Sequence, residues 1–298
     1  SKGDGDSVRR NLDAAGIYGV RCAVLDAEIE DLPDYFANLI ISQEEPERFG
    51  RVLRPFGGTL CKPSGVVVQR RGALEGAGEW THNYGNPGNT LYSGDTLVKG
   101  PLGMLWYDDE NQRTIDRHGK HPAPLAYRGM LLRLGIHSLV ARDAYNGVIH
   151  YEIPLPGVLE AYMEGTQVGG AHIGNPYCVA DDVLYIRMDD WCRAYNVYTG
   201  EELKTFRAPA MPGGQKGRWG HLACKDGVII GGLMNEDYVI RANHGNGGPQ
   251  NQKPMEDHLT ETKYLFAFDV KSGELIWSYQ PEQSIRNNTL AMGDGMVY

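Results

Sequence analysis

Basic charge is in short supply in this chain: Lys plus Arg number 29 against 38 Asp plus Glu in 298 residues, a net charge of −9. The basic footprint that phosphate backbones demand is missing, so nucleic acid is excluded as the expected partner. Long apolar runs are missing as well. No stretch approaches the roughly 18 residues of a membrane helix, and Ser1-Lys2-Gly3-Asp4-Gly5-Asp6 has neither the basic start nor the apolar core of a signal peptide. A soluble chain is expected, with its compartment unassigned. Cysteine is sparse: Cys22, Cys61, Cys178, Cys192 and Cys224 are widely spaced, odd in number and without a CxxC, which excludes a disulfide framework or a finger-type zinc site. Glycine, by contrast, is plentiful. There are 39 glycines in 298 residues, where about 7% is usual, and they separate short apolar runs as tight turns do.

The first seventy residues read as α/β. Asn11-Leu12-Asp13-Ala14-Ala15-Gly16 looks like a helix tail ended by glycine, and Val20 to Leu25 is an apolar run. Tyr35 to Ser42 is nearly continuously apolar, as a strand covered on both faces would be. A polar helical stretch from Glu44 to Leu53 and an apolar run to Cys61 complete a pattern that predicts a doubly wound, Rossmann-like fragment. Asp26-Ala27-Glu28 with Leu32-Pro33, then Leu39-Ile40-Ile41, then Val52-Leu53-Arg54-Pro55-Phe56-Gly57-Gly58, resembles the middle of a class I S-adenosylmethionine (SAM)-dependent methyltransferase. The resemblance implies that Asp26 and Ala27 stand at the adenine edge. Asn38 stands where that family usually has Asp, and the glycine-rich loop supporting the cofactor would lie before Ser1. A structural remnant is therefore expected here, with SAM binding not expected.

From Gly129 onward the chain repeats. Gly129-Met130-Leu131-Leu132, Asp182-Val183-Leu184-Tyr185, Gly227-Val228-Ile229-Ile230 and Gly295-Met296-Val297-Tyr298 are short apolar strands, each entered from a turn. Between them runs Ala-x-Asp/Asn-x-x-x-Gly, as Ala141 to Gly147, Ala194 to Gly200 and Ala267 to Gly273. An Asp or Asn opening a turn accepts backbone N–H groups two residues on, and a glycine takes the positive φ that closes a hairpin. Asp143 and Gly147, Asn196 and Gly200, and Asp269 and Gly273 are thus the expected structural turns. Beyond the glycine, Ile149 and Tyr151 match Leu275 and Trp277, whereas Leu203 and Phe206 fall out of step, which predicts a bulge or slipped register in the middle copy.

Leu265-Phe266-Ala267-Phe268-Asp269-Val270-Lys271-Ser272-Gly273-Glu274-Leu275-Ile276-Trp277 resembles the repeat of pyrroloquinoline-quinone (PQQ) propellers, of the quinoprotein alcohol dehydrogenase-like kind. Glu79 to Ser93 is similar to the segment that leads into such propellers, and Leu105-Trp106 looks like an outer strand before the first full blade. The fold expected is mainly β: a partial β-propeller of four-stranded blades over residues 129–298, with an insertion over 235–261, after a lead-in and linker over 71–128 and the α/β fragment over 1–70. The ring is incomplete, so a segment of a longer polypeptide is expected.

Candidate site residues are few. Trp80, His82, Asn83, Tyr84 and Asn89 combine rings with amides, which suits a small polar ligand, or a ring plug whose asparagines satisfy their own turns. His118 and His121 stand three apart, and His82, His137, His172 and His221 lie in or beside turns, as capping residues or as imidazoles gathered round a channel. No metal is assigned. Asn287-Asn288-Thr289 matches a glycosylation sequon. The PQQ resemblance implies a quinone stacked on a vicinal disulfide, with calcium held by acids and a further Asp as base; no two cysteines here are adjacent. The role expected is therefore binding or scaffolding, with a protein or carbohydrate partner at the blade loop face. A PQQ/calcium-dependent alcohol or sugar dehydrogenase is the alternative, and a methyltransferase remnant the third reading.

Overall fold

Residues 5–19, 21–108, 122–159, 174–237, 254 and 257–298 are described by the computed structural model. They belong to two units, Ser1–Gly72 and Ala73–Tyr298.

In the first unit α1 (Gly5–Ala14) ends at Gly16, whose φ of +69° only glycine adopts cheaply. Strand β1 (Leu39–Ile41) pairs in parallel with β2 (Thr59–Cys61), which turns back antiparallel into β3 (Val67–Arg70). The crossover between the parallel strands carries only a 3-10 turn, Pro46–Phe49, in place of the expected helix, and Val20 to Leu25 forms no named strand among the described residues. Phe49, Leu53 and Leu60 form a small core against Ile29 and Ile40. The other face of β1 is open: Leu39 is 56% and Ile41 63% exposed. A doubly wound sheet needs both faces covered, so the expectation of a buried Rossmann-type strand is corrected: the apolar run is a one-sided strand.

Among the described residues the second unit holds three four-stranded antiparallel sheets, each a simple meander. The first comprises β4 (Leu125–Tyr127), β5 (Met130–Leu134), β6 (Ser138–Asp143) and β7 (Ile149–Pro154). The second comprises β8 (Tyr177–Ala180), β9 (Val183–Met188), β10 (Trp191–Asn196) and β11 (Glu202–Arg207). In the third, β12 (Gly217–Lys225), β13 (Val228–Asn235), β15 (Tyr264–Asp269) and β16 (Leu275–Tyr279) are joined through β14 (Glu261–Thr262), which pairs with β17 (Ile285–Arg286). A last hairpin, β18 (Met292–Gly293) with β19 (Met296–Val297), forms a separate two-stranded sheet. The first blade thus starts at Leu125, one strand before the Gly129 turn. First strands of successive sheets, β4 with β8 and β8 with β12, lie side by side, which is the radial arrangement of propeller blades.

The turns explain the repeats. Each blade's first hairpin turns on two positive-φ residues: Arg128-Gly129, Asp181-Asp182, Asp226-Gly227 and Asp294-Gly295. This is the primed turn whose twist suits antiparallel strands. Each later corner also repeats: Gly147, Gly200 and Gly273 donate their N–H to the carbonyls of Asp143, Asn196 and Asp269 at 3.0, 2.9 and 2.8 Å. The side-chain oxygen at the corner accepts too, from Tyr145 and Asn146, from Tyr198 and Thr199, and from Ser272. A bulge follows Ala141, Ala194 and Ala267 alike, just before each corner. The bulge expected in the middle copy is present after Ala194, but it is not peculiar to that copy: every copy carries it, and the middle one keeps the common register. Lys204, four residues past Gly200, stands where Tyr151 and Trp277 stand.

Blades join through that position. The Tyr151 ring covers Gly200 so closely that a Cβ there would lie 2.6 Å from the ring, and Lys204 covers Gly273 at 2.9 Å. Trp106 covers Gly147 in the same manner, at 2.6 Å, ahead of the first blade. Each covering side chain also donates a hydrogen bond to the carbonyl one residue past the corner Asp or Asn. Trp106 Nε1 reaches Ala144 at 3.0 Å, Tyr151 Oη reaches Val197 at 2.6 Å, and Lys204 Nζ reaches Val270 at 3.0 Å. Beneath these locks lie apolar seams, one around Leu134, Ile153, Tyr177 and Val197, and the next around Tyr185, Phe206, Trp219, Phe266 and Phe268.

Candidate functional site

Two places in the second unit concentrate chemistry. The first is a strap, residues 79–92, that bonds to the first strands of the three four-stranded sheets and to the start of the β18–β19 hairpin. Trp80 exchanges backbone hydrogen bonds with Ala126 of β4, and the Thr81 carbonyl accepts from Val179 of β8. His82 Nε2 accepts the Cys224 N–H of β12 at 3.3 Å. That bond leaves the imidazole proton on Nδ1, which donates to Thr81 Oγ1 at 2.9 Å. Asn83 accepts from the Ala123 N–H and its own N–H donates to Asn175. Asn89 Nδ2 donates to the Leu290 carbonyl, and the Met292 N–H donates to Pro87. Tyr84 is half-buried beside Asn83 and Asn288.

The strap brings Trp80, His82, Asn83, Tyr84 and Asn89 together as a stitch between blades. His82 is fully buried and Asn83 nearly so, and the amides of Asn83 and Asn89 bind main chain. His221, on β12, joins them. Burial lowers His82 to about 3, with the nearby His221 second in effect, and burial followed by the Arg187 charge lowers His221 to about 3. Both imidazoles are therefore neutral in ordinary buffers. Burial raises the Cys178 and Cys192 thiols and pushes Cys224 up to about 12, so none of the three is a thiolate nucleophile. Among the described residues no three His, Cys, Asp or Glu side chains are placed to hold a metal ion. His118, His121 and His172 lie outside the described residues, as does most of the 235–261 insertion. Asn287 of the sequon is fully buried in a short 3-10 turn, its amide oxygen accepting from Thr262, which closes it to glycosylation in the folded chain.

In the first unit Asp26 is an exposed carboxylate paired with Arg9 of α1 at 2.7 Å, and Ala27 after it is exposed outside any helix or strand. Two opposite charges at the surface account for that contact. The corner residues Asp143, Gly147, Asn196, Gly200, Asp269 and Gly273 form the blade turns described above.

The second place was not anticipated from sequence. Beside β16 and the β18–β19 hairpin lies a cleft of about 650 Å³, lined by Ile276, Trp277, Tyr279, Leu290, Met296 and Tyr298 among others. Its floor is a small core of Ala223, Ile230, Leu265, Ala267, Leu290 and Met292. All five residues of β16 are exposed, whereas in β7 and β11 the position six past the corner glycine, Ile153 and Phe206, is 8% and 3% exposed. The matching Tyr279 is 54% exposed. The available signal was the apolar alternation of Leu275 and Trp277, legible as a half-buried strand but silent about whether anything covers it.

No family model and no curated protein matches the chain. Solved structures do. A europium-containing methanol dehydrogenase is 15% identical with a TM-score of 0.44, over 68% of this chain and 32% of that one. The quinohemoprotein alcohol dehydrogenase of Comamonas testosteroni is 18% identical with a TM-score of 0.45, over 68% and 27%. BamB from Moraxella catarrhalis is 12% identical with a TM-score of 0.29, over 51% and 38%. This chain spans about a third or less of those dehydrogenases. The blade architecture rests on the ladders and corners above.

Proposed function

We propose that this chain is a propeller-type binding scaffold whose ligand is a protein, taken at the cleft beside β16. The observation that carries the reading is the contrast in use of side chains. The polar residues that look like a ligand site are consumed in stitching blades together, while none of the described residues covers an apolar cleft with an exposed Trp277. Open apolar surface with aromatic anchors is the usual mark of a protein contact.

Among the described residues no group of side chains is placed to hold calcium beside a quinone. All five cysteines are free, and no two adjoin. Among the described residues the buried carboxylates already have partners: Asp143 caps its own corner, and Glu261 accepts from Ser284 at 2.9 Å and pairs with Arg286 at 3.2 Å. Cation and quinone would have to displace these contacts.

Two titrations test the reading. The apolar dye 1-anilino-8-naphthalenesulfonate is expected to brighten saturably with the chain, and Ile276→Asp with Met296→Asp to abolish this without lowering the melting temperature. PQQ with calcium is expected to give no saturable absorbance change and no dye reduction with alcohols. Dye binding indifferent to both substitutions, or quinone binding with turnover, would overturn the proposal.

A further inference from the structure

We infer that the third sheet carries, at the end opposite its corner, a binding site for a free α-amino acid with an uncharged side chain. The starts of β12 and β15 and the ends of β13 and β16 lie together there, as Gly217 pairs with Asn235, Leu233 with Tyr264 and Leu265 with Tyr279. Beside them is a cavity of about 290 Å³. The loop before β12 lines it with Met211, Pro212 and Gln215, and the ends of β13 and β15 with Asn235 and Lys263. The loop after β16 closes the lining with residues Gln280 to Gln283. The cavity shares no lining residue with the cleft beside β16, and the inference does not rest on the protein-binding reading.

The walls are held in place by main chain. Gly213 and Gly214 take φ values of +82° and +75°, so the loop before β12 folds into a short 3-10 turn that other residues would strain. Gly214 donates its N–H to the Met211 carbonyl at 3.0 Å and Met211 donates to Gln215 at 2.9 Å, which closes the turn under Gln215. Lys263 donates its N–H to the Leu233 carbonyl at 2.7 Å. Its ammonium lies 3.5 Å from Asp257 Oδ1, the same oxygen that accepts from Asn235 Nδ2 at 2.6 Å. Buried Met211, with Pro212 and Pro281, makes the apolar part of the lining, and the prolines restrict how far it can move.

The chemistry of the lining selects the guest. An ammonium carries three N–H groups, and the contact with Asp257 uses one of them. Among the described residues the side chains of Gln215, Gln280, Glu282 and Gln283 make no hydrogen bond or ion pair. One small cavity therefore offers a cation, a carboxylate and several amides, each amide with donor and acceptor side by side. A simple anion would meet Glu282, and a simple cation would meet Lys263. A molecule carrying both charges satisfies each, and charge-assisted bonds are the stronger kind. In a free α-amino acid the two charges stand two bonds from one carbon, whereas a peptide carries them at opposite ends. With both charges matched, the amides and the apolar part of the lining are left for an uncharged side chain. The volume stands at the low end of ligand pockets, which suits a guest of this size.

Titration calorimetry on the full chain takes L-leucine as the probe, beside L-leucinamide, which lacks the carboxylate, and 4-methylpentanoate, which lacks the ammonium. Leucine should bind saturably with a Kd of about 1 mM or tighter, and each analogue roughly tenfold more weakly. Lys263→Met and Glu282→Gln should each weaken leucine by roughly tenfold. Glu282→Gln should also tighten 4-methylpentanoate, because the repelling carboxylate is gone. Glu282 is exposed, so this variant should melt like the parent and keeps the test decisive if Lys263→Met unfolds the chain. Absence of saturable heat up to about 20 mM leucine, equal binding of the three compounds, or leucine binding indifferent to Glu282→Gln would overturn the inference. The apolar-dye titration reads a different place, so either result can fail without the other.

Discussion

Among the described residues β7 and β11 sit under a neighbouring blade and β16 does not, although all three come from one repeat and share register, corner and bulge. The same place is held by Ile153, Phe206 and Tyr279, and by Tyr151, Lys204 and Trp277. Burial here is therefore decided by what packs on the strand rather than by the strand's own sequence. The two sealed seams serve as internal controls for the open one.

The comparison breaks most visibly at Phe206. Phe206→Ala should cost about 3–5 kcal/mol of unfolding free energy, and Tyr279→Ala under about 1 kcal/mol. Urea denaturation of the pair measures the gap, and equal losses would mean that β16 is covered in solution. Next come the glycines. Gly200→Ala places a methyl 2.6 Å from the Tyr151 ring at a φ of +72°, whereas Gly295→Ala meets nothing within 4 Å at +73°. About 2–4 kcal/mol is expected for the first and about 1–2 kcal/mol for the second, the common backbone term. Similar melting temperatures would show that the corner glycines serve φ alone.

A third effect probes the sealed edge by pH. His82 and His221 are held near 3 in the folded chain, below the unfolded value of about 6.5. The unfolded state then takes protons first, so stability is greatest above the unfolded value and falls as pH drops toward the folded one. Each imidazole should lower the folding constant up to roughly tenfold per pH unit between about 6.5 and 4.5. Asp95, Asp182 and Asp269, whose backbone and side-chain hydrogen bonds lower them, add their loss only nearer pH 4. Stability flat from pH 7 to about 4.5 would mean that water reaches the pair. The smallest contrast is Tyr151→Phe, which strands the Val197 carbonyl at a cost of about 1 kcal/mol, against Trp277→Phe at under about 0.5 kcal/mol. Thermal melts of the two variants separate them.

What the sequence disclosed was local chemistry. Asp143, Asn196 and Asp269 bond to N–H groups two or three residues away, so their corners are readable from a short window. Lys204 misled the register because its methylene stem does the packing that Tyr151 does with a ring, and a polarity pattern scores it as solvent. Leu39 and Ile41 misled in the opposite sense: apolar letters that the fold leaves uncovered. The strap's use was hidden by distance. Asn89 meets Leu290 two hundred and one residues on, and His82 meets Cys224 one hundred and forty-two on. No local window contains both partners.

The strap also bears on how the chain comes apart. Stacked modules that touch only their neighbours tend to unravel from an end, one unit at a time. A ribbon bonded at Trp80, Thr81, His82 and Asn89 to successive modules cannot release one without loosening the next. Melting of residues 73–298 should accordingly be a single concerted event that begins with the ribbon, not fraying at the last hairpin.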